Sequence, residues 1–476
     1  MTYNREIMDD IRHNVSSLLP MFAGGGVERS ETEGVQPRRC SQTVRMGSRL
    51  PEGKPGPVGR ATRANEDREG VASGRGRAAL LALTLTLFGC GPKTLPTTTF
   101  VAPRPAYAPL SGSGNGFDAY CLAATEAEKL DPTQLRKVAF TDREYENLAK
   151  NLAPALSTLR GGIGTMQRLE FRPSGPFETQ PYTVGWRILG EAMIGQLKAA
   201  VKSKSEGRIV ELAGDLSQFG ADLTHGDVSY ATQGFGLLDR TRQIVTPVLK
   251  DLSASTQASL ALKLTAAARS IAPLEDTLVN EADTAGMALQ TLQDMHVSGK
   301  VEALREYLGE GGKDLVEFFH RTSPSSNKRV EFFQGLKQRL DDEFREVRAR
   351  ASKPASQRED FPKEKGSKEE RLAGRLFLQL GRTLLTEHPV VLARTRLFAL
   401  YCHYLARTTA GQALPAALEG LPPEAMEDPF TGKPFVYHAN GSAFEIYSVG
   451  KNGTDDDGKG GPTGTDPDVR LENFDI

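Results

Sequence analysis

The chain contains seven histidines, and none of them stands at a spacing that is typical of a catalytic or metal site. They are scattered along the sequence as His13, His225, His296, His320, His388, His403 and His438. The HExxH pattern, which places two histidines and a glutamate on one helix face, is missing. The GxSxG turn of serine hydrolases is missing too. His403 lies beside Tyr404 in a helical pattern, where a surface or half-buried histidine is more common than a catalytic base. Motifs therefore predict no catalytic residue.

Two glycine-rich stretches could hold a phosphate group, but both lack residues that this chemistry requires. In residues 309–314 (GEGGKD), the residue six positions before Lys313 is Tyr307 instead of glycine. Asp314 also stands where a serine or threonine would coordinate magnesium. Residues 161–164 (GGIG) follow no predicted strand, which disfavours a dinucleotide site. An enzyme with a site between helices stays open as an alternative, because catalytic groups can meet in space without sharing a motif.

The composition gives the chain no overall electrostatic attraction to a strongly charged partner. The 476 residues include 59 basic and 60 acidic ones, which leaves a net charge of −1 at pH 7. A nearly neutral chain has no overall field that attracts nucleic acid, so we expect no nucleic-acid partner. The length is sufficient for two or three domains with a sizeable core.

Residues 75–90 (RGRAALLALTLTLFGC) have the layout of a secretory signal. Arg75 and Arg77 precede an apolar run over 78–88, and a small residue, Gly89, follows it. As a helix the run would be about 16 Å long, which is too short for the roughly 30 Å of hydrocarbon in a bilayer. The alternative is a buried core helix with a chance cysteine. The flanks disfavour it, because one is rich in arginine and glycine and the other in proline and threonine.

The residues Leu87-Phe88-Gly89-Cys90 resemble the lipobox of bacterial lipoproteins, in which leucine and two small residues precede a cysteine. Phe88 is larger than the residue usual at its position. The resemblance implies cleavage before Cys90 and acylation of Cys90, for instance with palmitate. Because Gly91 follows instead of aspartate, the resemblance also implies the outer membrane, with the protein facing the periplasm or the exterior.

The segments around this signal have different compositions. Residues 1–70 lack sustained periodicity and are predicted to be disordered, with a true translation start at Val71 or, as second choice, at Met46. Residues 71–89 are then the signal peptide. Residues 90–116 are rich in proline, then in glycine and serine, and predict a tether that could hold the body up to about 80 Å from the membrane.

From Phe117 onward the pattern is helical, and we expect a mainly α fold. Helices are predicted over 142–159, 185–202, 206–224, 230–249, 253–272, 274–296, 301–321, 327–351 and 390–408, with Ser253 and Ser326 as N-caps. Short connections favour antiparallel neighbours, so residues 117–352 form a helical bundle or an irregular array of helical hairpins. Residues 353–371 are dense in charge and predict a solvated linker. Residues 372–476 contain the last helices and a small α+β module.

The four cysteines show no CxxC pair and no metal spacing. Once Cys40 is removed and Cys90 acylated, Cys121 and Cys402 remain in an oxidising compartment. They could form a disulfide, but both lie in helical patterns, which favours two separate buried thiols.

The last fifty-odd residues predict a β-hairpin. A turn sequence over 428–434 (DPFTGKP) precedes two short runs of β-branched and aromatic residues, 435–438 and 443–449. The runs flank an Asn440-Gly441 turn, which is the strongest short signal for a hairpin. Glycine and aspartate dominate the stretch that follows, over 450–468.

Four blocks in this region resemble the C-terminal half of the major pseudopilin of type II secretion. They are residues 397–401, 414–421, 428–437 (DPFTGKPFVY) and 444–458 (FEIYSVGKNGTDDDG), within about 70 residues over 394–464. The resemblance extends to a broad set of bacterial proteins that carry this module without a pilin helix. The cleaved, methylated helix that assembles true pseudopilins has no counterpart here, so assembly into a pseudopilus is in doubt.

In the pseudopilin family the acidic loop binds calcium, so the resemblance implies a possible Ca²⁺ cofactor, with Asp455, Asp457 and Asp468 as the chosen ligands. Calcium takes six to eight oxygen ligands from a flexible loop. The loop is not an EF-hand, because Gly453 and Gly464 would occupy its first and last ligand positions. A solvated acidic turn is the alternative.

These observations predict a non-catalytic envelope lipoprotein that acts as a helical scaffold or interaction protein for another envelope protein. The alternative is an envelope hydrolase of unknown type with its site between helices. A concave pocket that gathers a histidine and two carboxylates would favour the enzyme, whereas a shallow, patchily apolar face would favour the scaffold.

Overall fold

The structure is a computed structural model that describes residues 95–100, 116–137, 139–165, 182–304, 312–362, 365–378, 380–458 and 468–471. All of these residues belong to one compact unit. The predicted disordered region and signal peptide, and Cys90 itself, lie outside the described residues.

Helices dominate the described residues, which confirms the predicted mainly α fold with a small α+β module at the C-terminus. The α-helices are α1 Gly116–Ala127, α2 Pro132–Leu135, α3 Asp142–Asn151, α4 Ala153–Gly162, α5 Thr183–Lys202, α6 Glu206–Leu223, α7 Val228–Val245, α8 Ala254–Ser270, α9 Leu274–Val297, α10 Lys313–Arg321, α11 Asn327–Ala351, α12 Lys368–Phe377, α13 Leu380–Thr409 and α14 Pro423–Met426. Short 3₁₀ turns span Thr246–Asp251 and Ala355–Gln357.

Side-chain caps define several helix starts. The Ser253 side chain accepts a hydrogen bond from the Thr256 backbone amide, and Ser326 accepts one from Lys328, so both predicted N-caps are confirmed. Ser367 and Glu370 form a reciprocal capping box at the start of α12. Such caps typically contribute about 1 kcal/mol each, because they satisfy amides that have no partner within the helix.

The helical body has two main cores. In the first, α5 to α8 pack around Trp186, Leu189 and Leu216, which are fully buried, and α1, α3 and α4 cover α5. In the second, α9, α11 and α12 enclose a cluster that includes Phe333 and Leu289. The long helix α13 packs along α7 and α8 and also contacts α9 and α11, so it joins the two cores.

Helix α13 begins ten residues before the predicted start at 390. It continues through Pro389, which lies inside the helix. Proline removes one backbone hydrogen bond from a helix interior. Here Val391, Ala393 and Leu397 are buried on the far side of the proline, and their packing holds the two halves in one element.

Most described residues of the charged stretch 353–371, which the sequence predicts to be a solvated linker, are exposed or half-buried, but two apolar residues contact the body. Ala355 is buried, and the Phe361 ring lies between two guanidinium groups, 4.4 Å from that of Arg350 and 4.1 Å from that of Arg382. Cation–π contacts of this kind hold an aromatic ring under long charged side chains. Residues 355 and 361 are therefore held against the body, whereas most of the described charged residues around them face the solvent.

The C-terminal module contains the predicted hairpin. Strands β1 Glu427–Asp428 and β2 Lys433–Pro434 pair with each other, and β3 Val436–Asn440, β4 Ala443–Ser448 and β5 Val469–Arg470 form an antiparallel sheet in that order. Asn440 pairs with Ala443, so the connecting loop is Gly441-Ser442, one position later than the predicted turn. Gly441 adopts a φ of 62°, which glycine reaches without strain. Both β4 and β5 pack on α13.

Candidate functional site

The described residues nearest to the predicted acylation site are Leu95–Phe100, which we call the strap. The strap has no regular secondary structure and lies between α9 and α11. Leu95 follows Cys90 by five positions. The strap therefore determines how a group on Cys90 would be connected to the helical body.

The Phe100 side chain fixes the C-terminal end of the strap. It is 1% exposed, and its ring meets that of Phe333 edge to face with centroids 6.2 Å apart. A Cβ atom on Gly286 of α9 would stand 3.0 Å from the Phe100 carbonyl oxygen. The close approach of the strap to α9 therefore requires a residue without a side chain at this position.

Two buried side chains bind the strap backbone. Gln293 donates from Nε2 to the Thr98 carbonyl at 2.7 Å and accepts from the Thr98 amide at 2.9 Å, so one side chain satisfies both backbone groups of one residue. Arg329 Nη2 donates to the carbonyls of Leu95 at 3.2 Å and Pro96 at 3.4 Å. A buried polar group that loses its hydrogen-bond partner destabilises the folded state. The two side chains therefore need the strap backbone as much as the strap needs them. The strap is thus held by hydrogen bonds to its backbone and by the packing of one aromatic side chain, Phe100.

His296 of α9 lies near Arg329 and Phe333, which bind the strap, and is unsuited to acid–base chemistry. It is 1% exposed, and its ring stacks on Phe319 with centroids 4.6 Å apart. Burial lowers the pKa of His296 to about 4, and the nearby Arg329 guanidinium adds to this effect. The imidazole is therefore neutral at physiological pH and packs as part of the core.

The strap corrects part of the predicted tether. Residues 95–100 are held against the body instead of hanging free, although residues 101–115 lie outside the described part of the chain. Sequence analysis missed this because the prolines and threonines of the segment show no periodicity. A single aromatic residue, Phe100, was the available signal.

A groove of about 590 Å³ continues beyond Phe100 between α9 and α11. It is lined by Phe100, Glu275, Ala282, Asp283, Lys337, Leu340, Asp341, Phe344, Arg345, Arg348, Ala349 and Ser352. The lining mixes both charges with a few apolar groups and includes no histidine. The groove is therefore a candidate surface for a partner, and the scaffold and enzyme hypotheses both stay predictions.

The three proposed calcium ligands lie in one loop region but bind protein groups. Asp455 accepts hydrogen bonds from the Tyr447 hydroxyl at 2.8 Å and from the Asp457 amide at 3.0 Å. Asp468 is buried, and its Oδ2 accepts from the amides of Asp456 at 3.1 Å and Gly458 at 2.7 Å. Its other oxygen, Oδ1, has no hydrogen-bond partner among the described residues. Burial raises the pKa of the Asp468 carboxyl, and the two amides oppose this shift.

Within the described part of the chain, no three His, Cys, Asp or Glu side chains are grouped to hold a metal ion. Asp455 and Asp468 accept from different donors, and the main role of both is to close the loop. Calcium binding by Asp455, Asp457 and Asp468 stays a prediction, because residues 459–467 of the loop lie outside the described part of the chain.

A buried carboxylate that sequence analysis did not single out organises the module. Asp428 is 1% exposed, and its oxygens accept from the Phe430 amide at 2.9 Å, the Ser448 hydroxyl at 2.9 Å and the Val449 amide at 3.3 Å. Burial raises the pKa of Asp428, and these three donors oppose the shift. An aspartate at the start of a turn was the available signal, since such residues commonly accept from amides two positions on.

Contacts with the helical body hold the module in place. Arg396 of α13 donates to the Glu427 carbonyl at 2.7 Å, and the buried Arg242 of α7 donates to the Leu471 carbonyl at 3.3 Å. Cys402 is a buried thiol and Cys121 is half-buried, and no disulfide joins these two residues. The module and the body are therefore joined by noncovalent packing.

Among the described helices, none combines enough length with enough apolar character to cross a membrane. In comparisons with known proteins, no family model, no curated protein and no solved structure matches this chain. The resemblances to lipoproteins and pseudopilins therefore stay predictions from the sequence blocks quoted above.

Proposed function

We propose that this chain is a non-catalytic lipoprotein of the bacterial cell envelope, anchored through acylated Cys90 in the outer membrane. Its helical body and pseudopilin-like C-terminal module would act together as a scaffold that engages another envelope protein. The signal-like residues 75–90 support the anchor, and the packing of β4 and β5 on α13 supports a scaffold in which the module is rigidly attached.

The observation that carries this proposal is the strap. It follows Cys90 by five positions and is bound by Gln293, Arg329 and Phe333. A lipid on Cys90 would therefore be connected directly to the folded body, as an anchored scaffold requires. Stable anchoring needs two or more acyl chains, because one chain holds a protein only marginally.

Mass spectrometry of the mature protein tests the anchor. We expect an acylated Cys90 at the N-terminus and recovery of the protein with membranes. Cys90→Ser should leave an uncut precursor or a soluble form, whereas the matched variant Cys121→Ser should still be acylated and membrane-bound. An unmodified peptide that runs from Phe88 through Gly91 would disprove the lipoprotein hypothesis.

Capture of partners from solubilised membranes tests the scaffold role. With the anchor intact, a specific envelope protein should be recovered with the chain, and the yield should fall for Cys90→Ser because the two proteins no longer share a membrane. Recovery of no envelope protein from membranes that contain the acylated chain would argue against a scaffold.

Calcium binding by the module stays a prediction of the resemblance. One observation favours it, the buried Oδ1 of Asp468, which has no partner in the described part of the loop. If the loop binds calcium, chelation should lower the melting temperature of the protein, and Asp468→Asn should remove this effect. An unchanged melting temperature after chelation would identify a solvated acidic turn.

A further inference from the structure

Helix α11 connects the strap to the C-terminal module. At its N-terminal end, Arg329 binds the carbonyls of Leu95 and Pro96. Beyond its C-terminal end, Ser356 donates from its amide to the Phe430 carbonyl at 3.0 Å and from its hydroxyl at 2.8 Å. The helix has 25 residues and is therefore about 37 Å long. The start of the strap and the module thus lie at opposite ends of one rigid element.

The covalent chain limits how far Cys90 can lie from the strap. Leu95 follows Cys90 by five positions, and an extended chain of that length spans at most about 17 Å. If the strap were not bound, the full stretch 90–116 could separate the acylated residue from α1 by up to about 80 Å. The contacts of the strap therefore decide which part of the body stays close to a lipid anchor.

The body near Leu95 presents a surface that we call the proximal end, made of residues 294–302 and 320–328. It exposes three basic side chains, Lys300, Arg321 and Lys328, and two acidic ones, Asp294 and Glu302. The apolar Val297 is 43% exposed there. The proximal end thus combines charges of both signs with an exposed apolar group, and the described strap begins beside it at Leu95.

We propose that the strap orients the anchored protein, so that the proximal end lies against the lipid surface and the C-terminal module points away from it. This inference rests on the proposed acylation of Cys90. The lipid surface is the partner of the proximal end, and the module is presented to partners up to about 37 Å farther out, which is the length of α11.

Energy transfer to labelled lipids tests this orientation. A donor dye is placed at an exposed position of the proximal end, Ser325→Cys, or of the module, Lys433→Cys, with the acylated full chain in a Cys121→Ser background. The protein is bound to vesicles of phosphatidylethanolamine and phosphatidylglycerol that contain acceptor-labelled phosphatidylethanolamine. Transfer from position 433 should be at least about twofold lower than from position 325, because α11 separates the two positions.

A strap variant provides the matched control. Phe100→Ala combined with Gln293→Ala should release the strap, so that the two transfer efficiencies become similar. Equal transfer from both positions with the strap intact, or higher transfer from position 433, would overturn the proposal.

The experiments distinguish a wrong acylation hypothesis from a wrong orientation hypothesis. If mass spectrometry shows that Cys90 is not acylated, the proposed function fails. The same measurement then uses the full chain in a Cys40→Ser, Cys121→Ser background, with the dye at position 325 or 433 attached through an introduced azide side chain instead of a cysteine. Coupling of Cys90 to a maleimide phospholipid still decides whether the strap orients the body.

Discussion

The strap and the C-terminal module are both attached to the helical body, but different contacts hold them. The module contains its own hydrogen-bonded strands, and Asp428 binds donors that lie 2, 20 and 21 positions away in sequence. The strap has no secondary structure, and its partners Gln293 and Arg329 lie 195 and 234 positions from Thr98 and Leu95. The module is therefore specified by local sequence, whereas the strap depends on a body that is already folded.

This difference affects the order in which contacts form. Local contacts cost less loop-closure entropy than contacts between residues that are far apart in the chain. We therefore expect the hairpin to form early and the strap to bind last. The strap should also open first, because it buries little beyond one aromatic side chain.

The largest effect is expected at Phe100. Phe100→Ala removes a side chain that is 1% exposed and packs on Phe333, so it should lower the free energy of unfolding by about 3 kcal/mol. Chemical denaturation measures this change, and limited proteolysis should show faster cleavage near residues 95–100. Thr97→Ala, at an exposed strap position, is the control and should change neither. Equal proteolysis of both variants would mean that Phe100 does not hold the strap.

The matching test in the module is Asp428. Asp428→Ala leaves the Phe430 amide, the Ser448 hydroxyl and the Val449 amide without their acceptor, so stability should fall by about 2 kcal/mol. Asp428→Asn keeps one carbonyl acceptor and should cost about half as much. Chemical denaturation with tyrosine fluorescence measures both. If the two variants were equally stable, the hydrogen bonds of Asp428 would not be what holds the module.

The two regions also show what sequence reasoning could recover. The bounds of α11 were predicted correctly because a serine N-cap and regular apolar spacing mark them, and the hairpin was predicted from its turn and β-branched residues. These signals are local. The strap was interpreted as a tether because the residue that binds it is remote in sequence. Gln293, which binds the backbone of Thr98, lies in α9, and no motif around it indicates this contact.

Buried polar residues were the least predictable part of the site. Gln293, Arg329 and Asp428 look like ordinary surface residues in the sequence, and only the packing of separate elements shows that they are buried. The apolar residues on the helices of Gln293 and Arg329 were predictable from their helical spacing. A pattern of apolar residues indicates which face is inside, but not which polar group a neighbouring segment will require.

Glu281 of α9 is another buried carboxyl, and its hydrogen bonding differs from that of Asp428. Glu281 accepts one long hydrogen bond, 3.4 Å from the Val228 amide, and lies close to the buried Asp227. Burial and the neighbouring carboxyl raise the pKa of Glu281, and burial raises that of Asp227 to about 6. The folded state therefore holds protons that the unfolded state releases. The contribution of this pair to stability is fully present below about pH 4, and the Asp227 part of it is lost as the pH rises through about 6.

Glu281→Gln should flatten this pH dependence. At pH 8 the variant should be more stable than the original protein by on the order of 1 kcal/mol, because position 281 no longer carries a carboxyl that must take up a proton or ionise in the core. Near pH 4 the two proteins should be equally stable. Urea denaturation across this range is the measurement, and Glu331→Gln, at an exposed position of α11, should behave as the original protein does. A variant with the original pH profile would show that Glu281 does not titrate with folding.

The smallest effect is expected at the hairpin loop, where the module depends on a single backbone conformation. Gly441 has a φ of 62°, and a Cβ atom added there would meet nothing within 4 Å, so a substitution costs conformational energy alone. Gly441→Ala should lower stability by about 1 kcal/mol, whereas Gly441→Asn should lower it by less because asparagine adopts this conformation more readily. Chemical denaturation of both variants resolves the order. An alanine variant as stable as the asparagine variant would mean that the loop can rearrange, and that the cross-strand pairs of β3 and β4 alone set the register of the hairpin.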